Sequence, residues 1–465
     1  MTNESEEPRG TSLSPRPTRA ELRARGEALR KECPRSSHAA WDPPADRPDP
    51  VDLVERGNAG RIPELLPVRH GRMMQTPFTY YRGAALAMAV DLARLPTTNV
   101  RVQSCGDAHL GNFRCFATAE RRIIFDIHDL DETLPAPWEW DLKRLAASFV
   151  IASRNNGIGE ARAREAVLAC VRSYRERMAE FADMRAIEVW YHRVDAEKLL
   201  LPGMTAEIRK RFKKRLAKAK SQTAHDYDFP KLVDSAGESP SIRDNPPLMY
   251  HWREHGSEEF DRRIRDVFGR YRDSLSEDRR VILDRYELRD VAVKVVGVGS
   301  VGTLCAVALL MAGDDDPLFL QFKEAGPSVL EAAAGASRHA NHGERVVRGH
   351  RLMQSASDLF LGWTENSEGR HFYARQLRDV KIKFAIESFG ATEMELFATA
   401  CGWTLARAHA RSGEPSLVAG YLGKSDAFDL AIANFSVAYA EQSERDHEAL
   451  VKAVRAGRLE ALHED

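Results

Sequence analysis

Cysteine is scarce in this chain and poorly placed for a scaffold. Six cysteines are scattered over 465 residues. None stands in C-x-x-C spacing, which argues against a zinc ribbon or a disulfide framework. Long hydrophobic runs are missing too, and the longest, 304–312, is too short to cross a bilayer. The N-terminus is polar and has no apolar stretch of the signal-peptide kind. An excess of one charge sign is also absent. A net charge of −1 with 29% charged residues argues against a dedicated nucleic-acid binder. Internal repeats and coiled-coil heptads are lacking. These absences lead us to expect a cytoplasmic globular protein with reduced thiols and neither membrane nor nucleic-acid partners. Its length exceeds one compact core.

Residues 1–52 are rich in Pro, Ser, Arg and Glu. Few large apolar residues are available there to offset chain entropy, so the segment reads as a mobile arm with a short helix near 19–31. Apolar periodicity then predicts helices over 78–95, 141–181, 344–356, 394–410 and 426–462. β-type runs fall at 100–102, with 123–126 as partner strand, and at 291–298, 303–310, 318–322, 359–363 and 371–377. Residues 205–222 form a basic helix, read either as a solvated charged face or as a surface for an anionic partner. Residues 223–258 read as an irregular insert.

The most informative segment is Gly106-Asp107-Ala108-His109-Leu110-Gly111-Asn112-Phe113. Asp107 and Asn112 stand five apart, the spacing at which phosphotransferases set a catalytic carboxylate beside a metal-binding amide. A strand follows and ends in the acids Asp126, Asp129, Asp131 and Glu132. Asp107 is the candidate base for an acceptor hydroxyl, and His109 a candidate to order the loop or move a proton. Asn112 with Asp129, or with the rival Asp126, is the candidate Mg²⁺ set, because Mg²⁺ takes a few oxygen ligands alongside phosphate oxygens.

A second constellation lies far downstream. Gly297, Gly299 and Gly302 form a G-x-G-x-x-G that also carries Ser300. Such glycines either turn a strand into a helix, as in dinucleotide-binding folds, or make a hairpin over nucleotide phosphates. Here an apolar run, a turn of three aspartates and the strand 318–322 ending in Lys323 follow. That order favours the hairpin, since the space for a helix is short. In this reading Lys323 holds phosphates and needs a carboxylate partner, either Glu344 or Glu331. Gln376 falls where a strand enters a hinge that reads adenine through its backbone.

Gly402-Trp403-Thr404-Leu405-Ala406-Arg407-Ala408-His409 resembles the helix that precedes the catalytic loop in aminoglycoside-phosphotransferase-like kinases. Asp129-Leu130-Asp131 and Trp140-Asp141-Leu142 resemble later motifs of that superfamily. Read from 291 to 410 and then from 100 to 180, these motifs fall in kinase order, which implies a circular permutation. The chain from about Arg69 onward also resembles a bacterial family known as domain of unknown function 2252. That match is carried by Pro77 to Gly83, Gly106 to Phe113, Asp129 to Thr133, Trp138 to Ala146, Phe322 to Ala325, Arg345 to Val347 and Tyr373 to Asp379. This second resemblance implies no substrate.

The resulting expectation is an α+β, protein-kinase-like, two-lobed fold in permuted order. A large, mostly helical lobe would comprise 53–284 and 385–465, and a small β-rich nucleotide lobe 285–384. The expected chemistry is Mg²⁺-dependent phosphoryl transfer from ATP to a hydroxyl of a small-molecule acceptor. AMP transfer on the same scaffold, or a nucleotide-binding pseudokinase, are the alternatives.

Overall fold

The computed structural model describes residues 15–462, apart from 201–205, 222–228, 235–239, 247, 253–254, 296–298, 300, 314–315 and 378–380. The fold is mixed α+β, a small sheet set against helical regions. Among the described residues no helix is long and apolar enough to cross a membrane.

The six-stranded sheet runs in the order Gly362–Glu365, His371–Gln376, Asp316–Glu324, Cys305–Ala312, Glu287–Lys294 and Met249–Tyr250. All neighbours are antiparallel. The glycine-bearing segment therefore joins two antiparallel strands, Glu287–Lys294 and Cys305–Ala312, and no helix follows it. Alternation along the strands gives the sheet two buried faces. One holds Val291, Ala308, Leu310, Leu320 and Phe322, and the other Ala292, Val307, Leu309 and Phe319. Lys323 stands opposite Cys305 on one side and Tyr373 on the other. The helix His342–Met353, whose first turn is capped by Asn341, connects the lysine strand to the strand Gly362–Glu365.

The largest core is built by the helices Trp138–Asn155, Glu160–Asp183, Ala391–Ser412 and Ala427–Arg455. Trp138–Asn155 is buried from Trp138 to Ser153, on every face, as expected of a central helix. Gly402 lies so close to the backbone of Cys170 that a Cβ would overlap its carbonyl, which lets the second and third of these helices meet closely.

Four expectations are corrected. The strand Arg101–Ser104 pairs with Leu134–Pro137, while Ile123–Ile127 pairs with Phe113–Ala117 in a hairpin. Residues nearer in sequence close the shorter loop. The helix expected over 78–95 is broken into Pro77–Gly83 and Ala85–Leu92 at Ala84, and the one expected over 141–181 into Trp138–Asn155 and Glu160–Asp183 at residues 156–159.

The fourth concerns the N-terminal arm. Its described part, residues 15–52, is packed onto the body. The helix Arg19–Glu32 lies on Pro415–Leu422 through the facing glycines Gly26 and Gly420. Further along, Arg47 is paired with both Asp91 and Asp446. Contact through glycine backbone and buried ion pairs needs few apolar side chains, so hydropathy did not report it. In the basic helix Ala206–Ser221, Phe212 and Leu216 are buried, whereas Arg209, Lys210, Lys213, Lys214 and Arg215 face solvent.

Candidate active site

The loop 105–112 is shaped by one glycine and one helix. Gly106 has φ of +81°, and a Cβ there would overlap the Glu132 carbonyl, so only glycine fits without strain. The carboxylate of Asp141 accepts hydrogen bonds from the Cys105 N–H at 2.6 Å and the Gly106 N–H at 2.9 Å. Its other neighbour is His409 Nε2 at 3.1 Å, and His409 Nδ1 is in turn 2.8 Å from the Tyr174 hydroxyl. Three residues further along the same helix, Arg144 Nε donates to Asp107 Oδ1 at 2.7 Å. Positions i and i+3 share a helix face, so one helix holds both the backbone and the acid of this loop.

Asp107 is partly exposed, yet burial pushes its carboxyl up to about 6, against the pull of Arg144. A group poised there suits proton acceptance near neutrality. Asn112 donates its side-chain N–H to the Asp107 carbonyl at 2.7 Å, leaving its amide oxygen directed elsewhere. His109 is neutral, because burial and nearby Arg82 and Arg144 hold it well below its usual range. Its Nδ1 accepts from the Gly111 N–H at 3.1 Å, and its Nε2 is 3.7 Å from Asp107 Oδ2. The Gly111 contact ties the ring into the loop.

The two constellations meet at the acids 129–132, where Lys323 reaches Asp131 across 192 positions of sequence. Lys323 is ion-paired with Asp131 and stands 3.5 Å from Asp129 Oδ1. Asp131 Oδ1 also accepts from the Tyr373 hydroxyl at 2.7 Å. Burial works against the Lys323 charge, but the two aspartates outweigh it and hold its proton tightly. Burial and Asp129 push Asp131 up to about 6. Burial would raise Asp129 as well, but Lys323 and Arg375 keep it well below the ordinary carboxylate range. On the other side, Asp129 and Glu132 both act on the Asp107 carboxyl. The Asp129 Oδ1 is buried without a hydrogen-bond partner, as is Arg82 Nε. Arg82 lies between Gly111, whose built Cβ would be 3.7 Å from its Nε, and Gly299, whose Cβ would be 3.6 Å from its carbonyl oxygen.

The glycine turn is docked. Arg61 donates to the Val301 carbonyl at 2.6 Å and the Gly299 carbonyl at 2.9 Å, and the Ile62 N–H donates to the Gly302 carbonyl at 2.7 Å. Gly297 and Ser300 lie outside the described residues.

Three site expectations are corrected. Asp126 is not available to a metal: sealed from solvent, it is ion-paired with Arg407 and accepts from the Ile127 and Ser355 N–H groups and the Ser355 hydroxyl. Lys323 pairs with neither Glu344 nor Glu331. Glu344 binds Arg348 and Glu331 accepts from the Ser328 N–H. The helix presents the next residue, Arg345, to the acid loop, where it donates to the carbonyls of Thr133, Asp131 and Gly326. One step of 100° along the helix leaves Glu344 on another face. Gln376 does not offer its N–H to a ligand, because the Asp358 carboxylate takes it at 3.1 Å and the next N–H, of Leu377, donates to Phe319.

Arg61, Arg144, Arg345 and Tyr373 were not singled out from the sequence as site residues. Arg144 carried a readable signal, its i+3 position from Asp141. The other three meet the site only through tertiary packing.

A family model described as an uncharacterized protein conserved in bacteria, DUF2252, matches residues 61–453. No curated protein and no solved structure matches the chain.

Proposed function

We propose, for a chain that belongs to the DUF2252 family of uncharacterized bacterial proteins, an ATP- and Mg²⁺-dependent transfer of phosphate to a hydroxyl of a small-molecule acceptor. The observation that carries this reading is the approach of Lys323 to Asp129 and Asp131 beside the Asp107–Asn112 loop. A cation for phosphate, a base and metal-type oxygens are the parts phosphoryl transfer needs in one place.

The finer reading of the fold is a circularly permuted, protein-kinase-like arrangement of two lobes. Its support is order: a glycine-bearing turn between two antiparallel strands, a lysine on the third, then a helix, then two further strands. The helix Ala391–Ser412 then brings His409 against Asp141, whose carboxylate holds the 105–106 backbone.

Asn112 and Asp129 would suit a hard cation, since the Asn112 amide gives its N–H to the Asp107 carbonyl and a buried Asp129 oxygen makes no hydrogen bond, with only the Lys323 ammonium 3.5 Å away. Bound there, Mg²⁺ would supply charge neutralisation at the phosphate oxygens. Lys323 would exchange its aspartate partners for those oxygens, and Arg82, whose Nε beside Gly111 has no hydrogen-bond partner, would reach the same anion. Asp107 would take the hydroxyl proton as the acceptor oxygen bonds to the γ-phosphorus and the bond to the β-bridging oxygen breaks, leaving ADP and a phosphomonoester.

The test is release of ADP from MgATP by the purified protein supplied with a bacterial metabolite extract. Turnover absent from Asp107→Ala supports the reading. Pyrophosphate release instead of ADP would indicate AMP transfer, and tight ATP binding without any turnover would indicate a pseudokinase. Either result overturns the proposal.

A further inference from the structure

A second cluster of titratable groups lies away from the phosphate site, on the edge of the six-stranded sheet. Among the described residues, His251, His255 and Asp290 place one nitrogen or oxygen each within 4.8 Å of one another. Asp290 sits on the strand Glu287–Lys294 that leads into the glycine turn, and the histidines follow the edge strand Met249–Tyr250 that pairs with it. His251 Nε2 is 3.0 Å from Asp290 Oδ2, and His255 Nε2 is 2.9 Å from Asp290 Oδ1. The two rings lie side by side, 4.4 Å between centroids.

Three features point beyond a hydrogen-bonded cluster. Both histidines aim the same ring nitrogen at one carboxylate, as two ligands of one ion would. The separations are close to the ~3.3 Å expected between neighbouring donors in a tetrahedral site with bonds of about 2.0–2.1 Å. The far nitrogen of His251 is held by Asp244 Oδ1 at 2.8 Å, the outer carboxylate that orients metal-bound imidazoles and fixes their tautomer. Asp290 is buried and anchored by the Ile242 and Val291 N–H groups, while His255 is exposed and leaves a side open to water.

We propose that His251, His255 and Asp290 bind one zinc-class divalent cation, with water completing its coordination and Asp244 orienting His251. Two imidazoles and a carboxylate suit zinc better than magnesium. The ion fastens His251 and His255 to the strand that enters the glycine turn. This site shares no residue with the proposed phosphate chemistry and stands or falls separately from it.

The test is calorimetric titration of the full, tag-free, chelator-stripped protein with Zn²⁺ alone. About one Zn²⁺ per chain is expected, not displaced by excess Mg²⁺. Affinity should fall at least tenfold in His255→Ala, an exposed position whose folded state circular dichroism can verify, and about 10–100-fold in Asp244→Asn. No uptake by the parent protein would overturn the site. So would unchanged uptake in both His251→Ala and His255→Ala.

Discussion

Arg144 and Asp107 are joined by a hydrogen-bonded ion pair, with the buried Arg144 Nε 2.7 Å from the partly exposed carboxylate. The guanidinium is further held by the Tyr81 carbonyl at 3.0 Å and lies over the Tyr81 ring. Burial alone would drive the Asp107 proton affinity above its value of about 6, and Arg144 opposes that rise. In Arg144→Met the acid limb of the rate profile should therefore move to higher pH. A pH series of kcat/KM reads it, and a fall in rate with an unmoved limb would contradict the pairing.

Gly106→Ala tests the shape of the loop. A side chain must adopt positive φ there, costing roughly 1–2 kcal/mol, and must also displace the Glu132 carbonyl. Activity should fall at least tenfold while most of the fold survives. Steady-state kinetics beside a thermal melt separates the two, and wild-type activity would show that the loop tolerates another course.

Lys323→Met should abolish or strongly weaken ATP binding, whereas Glu344→Gln should leave it within about twofold, since Glu344 faces Arg348 rather than the lysine. Titration with a fluorescent ATP analogue compares them. Equal losses in both variants would restore the lysine–glutamate pairing that the structure replaces with aspartates.

Asp126→Ala should lower stability sharply, by about 3–5 kcal/mol, because it strands Arg407 as an uncompensated buried charge. Pairing it with Arg407→Met should recover much of the loss. Denaturant midpoints of the single and double variants give the comparison. A mild single-variant effect would argue that Asp126 is not structural.

His38 is sealed beneath Tyr421, its Nε2 2.7 Å from that hydroxyl. Burial holds its pKa down at about 3, against 6.5 in the open chain. Between those values the unfolded chain binds the extra proton, so stability falls as pH drops from 6.5 toward 3, by up to about 1.4 kcal/mol per pH unit. His350, also held at about 3 by burial, adds a slope of the same sign. In His38→Gln the decline in melting temperature over this range should be shallower. An unchanged slope would remove His38 from that account.

The parts of the site that were legible in the sequence are those whose chemistry is written locally. The Gly106–Phe113 loop, the strand ending in Lys323 and the antiparallel strands around the glycines all follow from short-range pattern. The partner of Lys323 was not legible. A helix and a loop both offered acids, and which reached the lysine depended on the rotation of His342–Met353, which turns Arg345 inward. The choice between Asp126 and Asp129 likewise depended on Arg407, 281 positions away from Asp126. The packed N-terminal helix escaped notice because its contacts run through Gly26 and Gly420, residues that carry no hydropathic signal.

The docked glycine turn has a kinetic corollary. Three hydrogen bonds from Arg61 and Ile62 close that segment onto the body, so under the proposed function a nucleotide sliding beneath it would wait for them to part together. Arrival would then be paced by the opening rate of the protein rather than by collision. In stopped-flow mixing the observed rate should level off as ligand concentration rises, and Arg61→Ala should lift that ceiling.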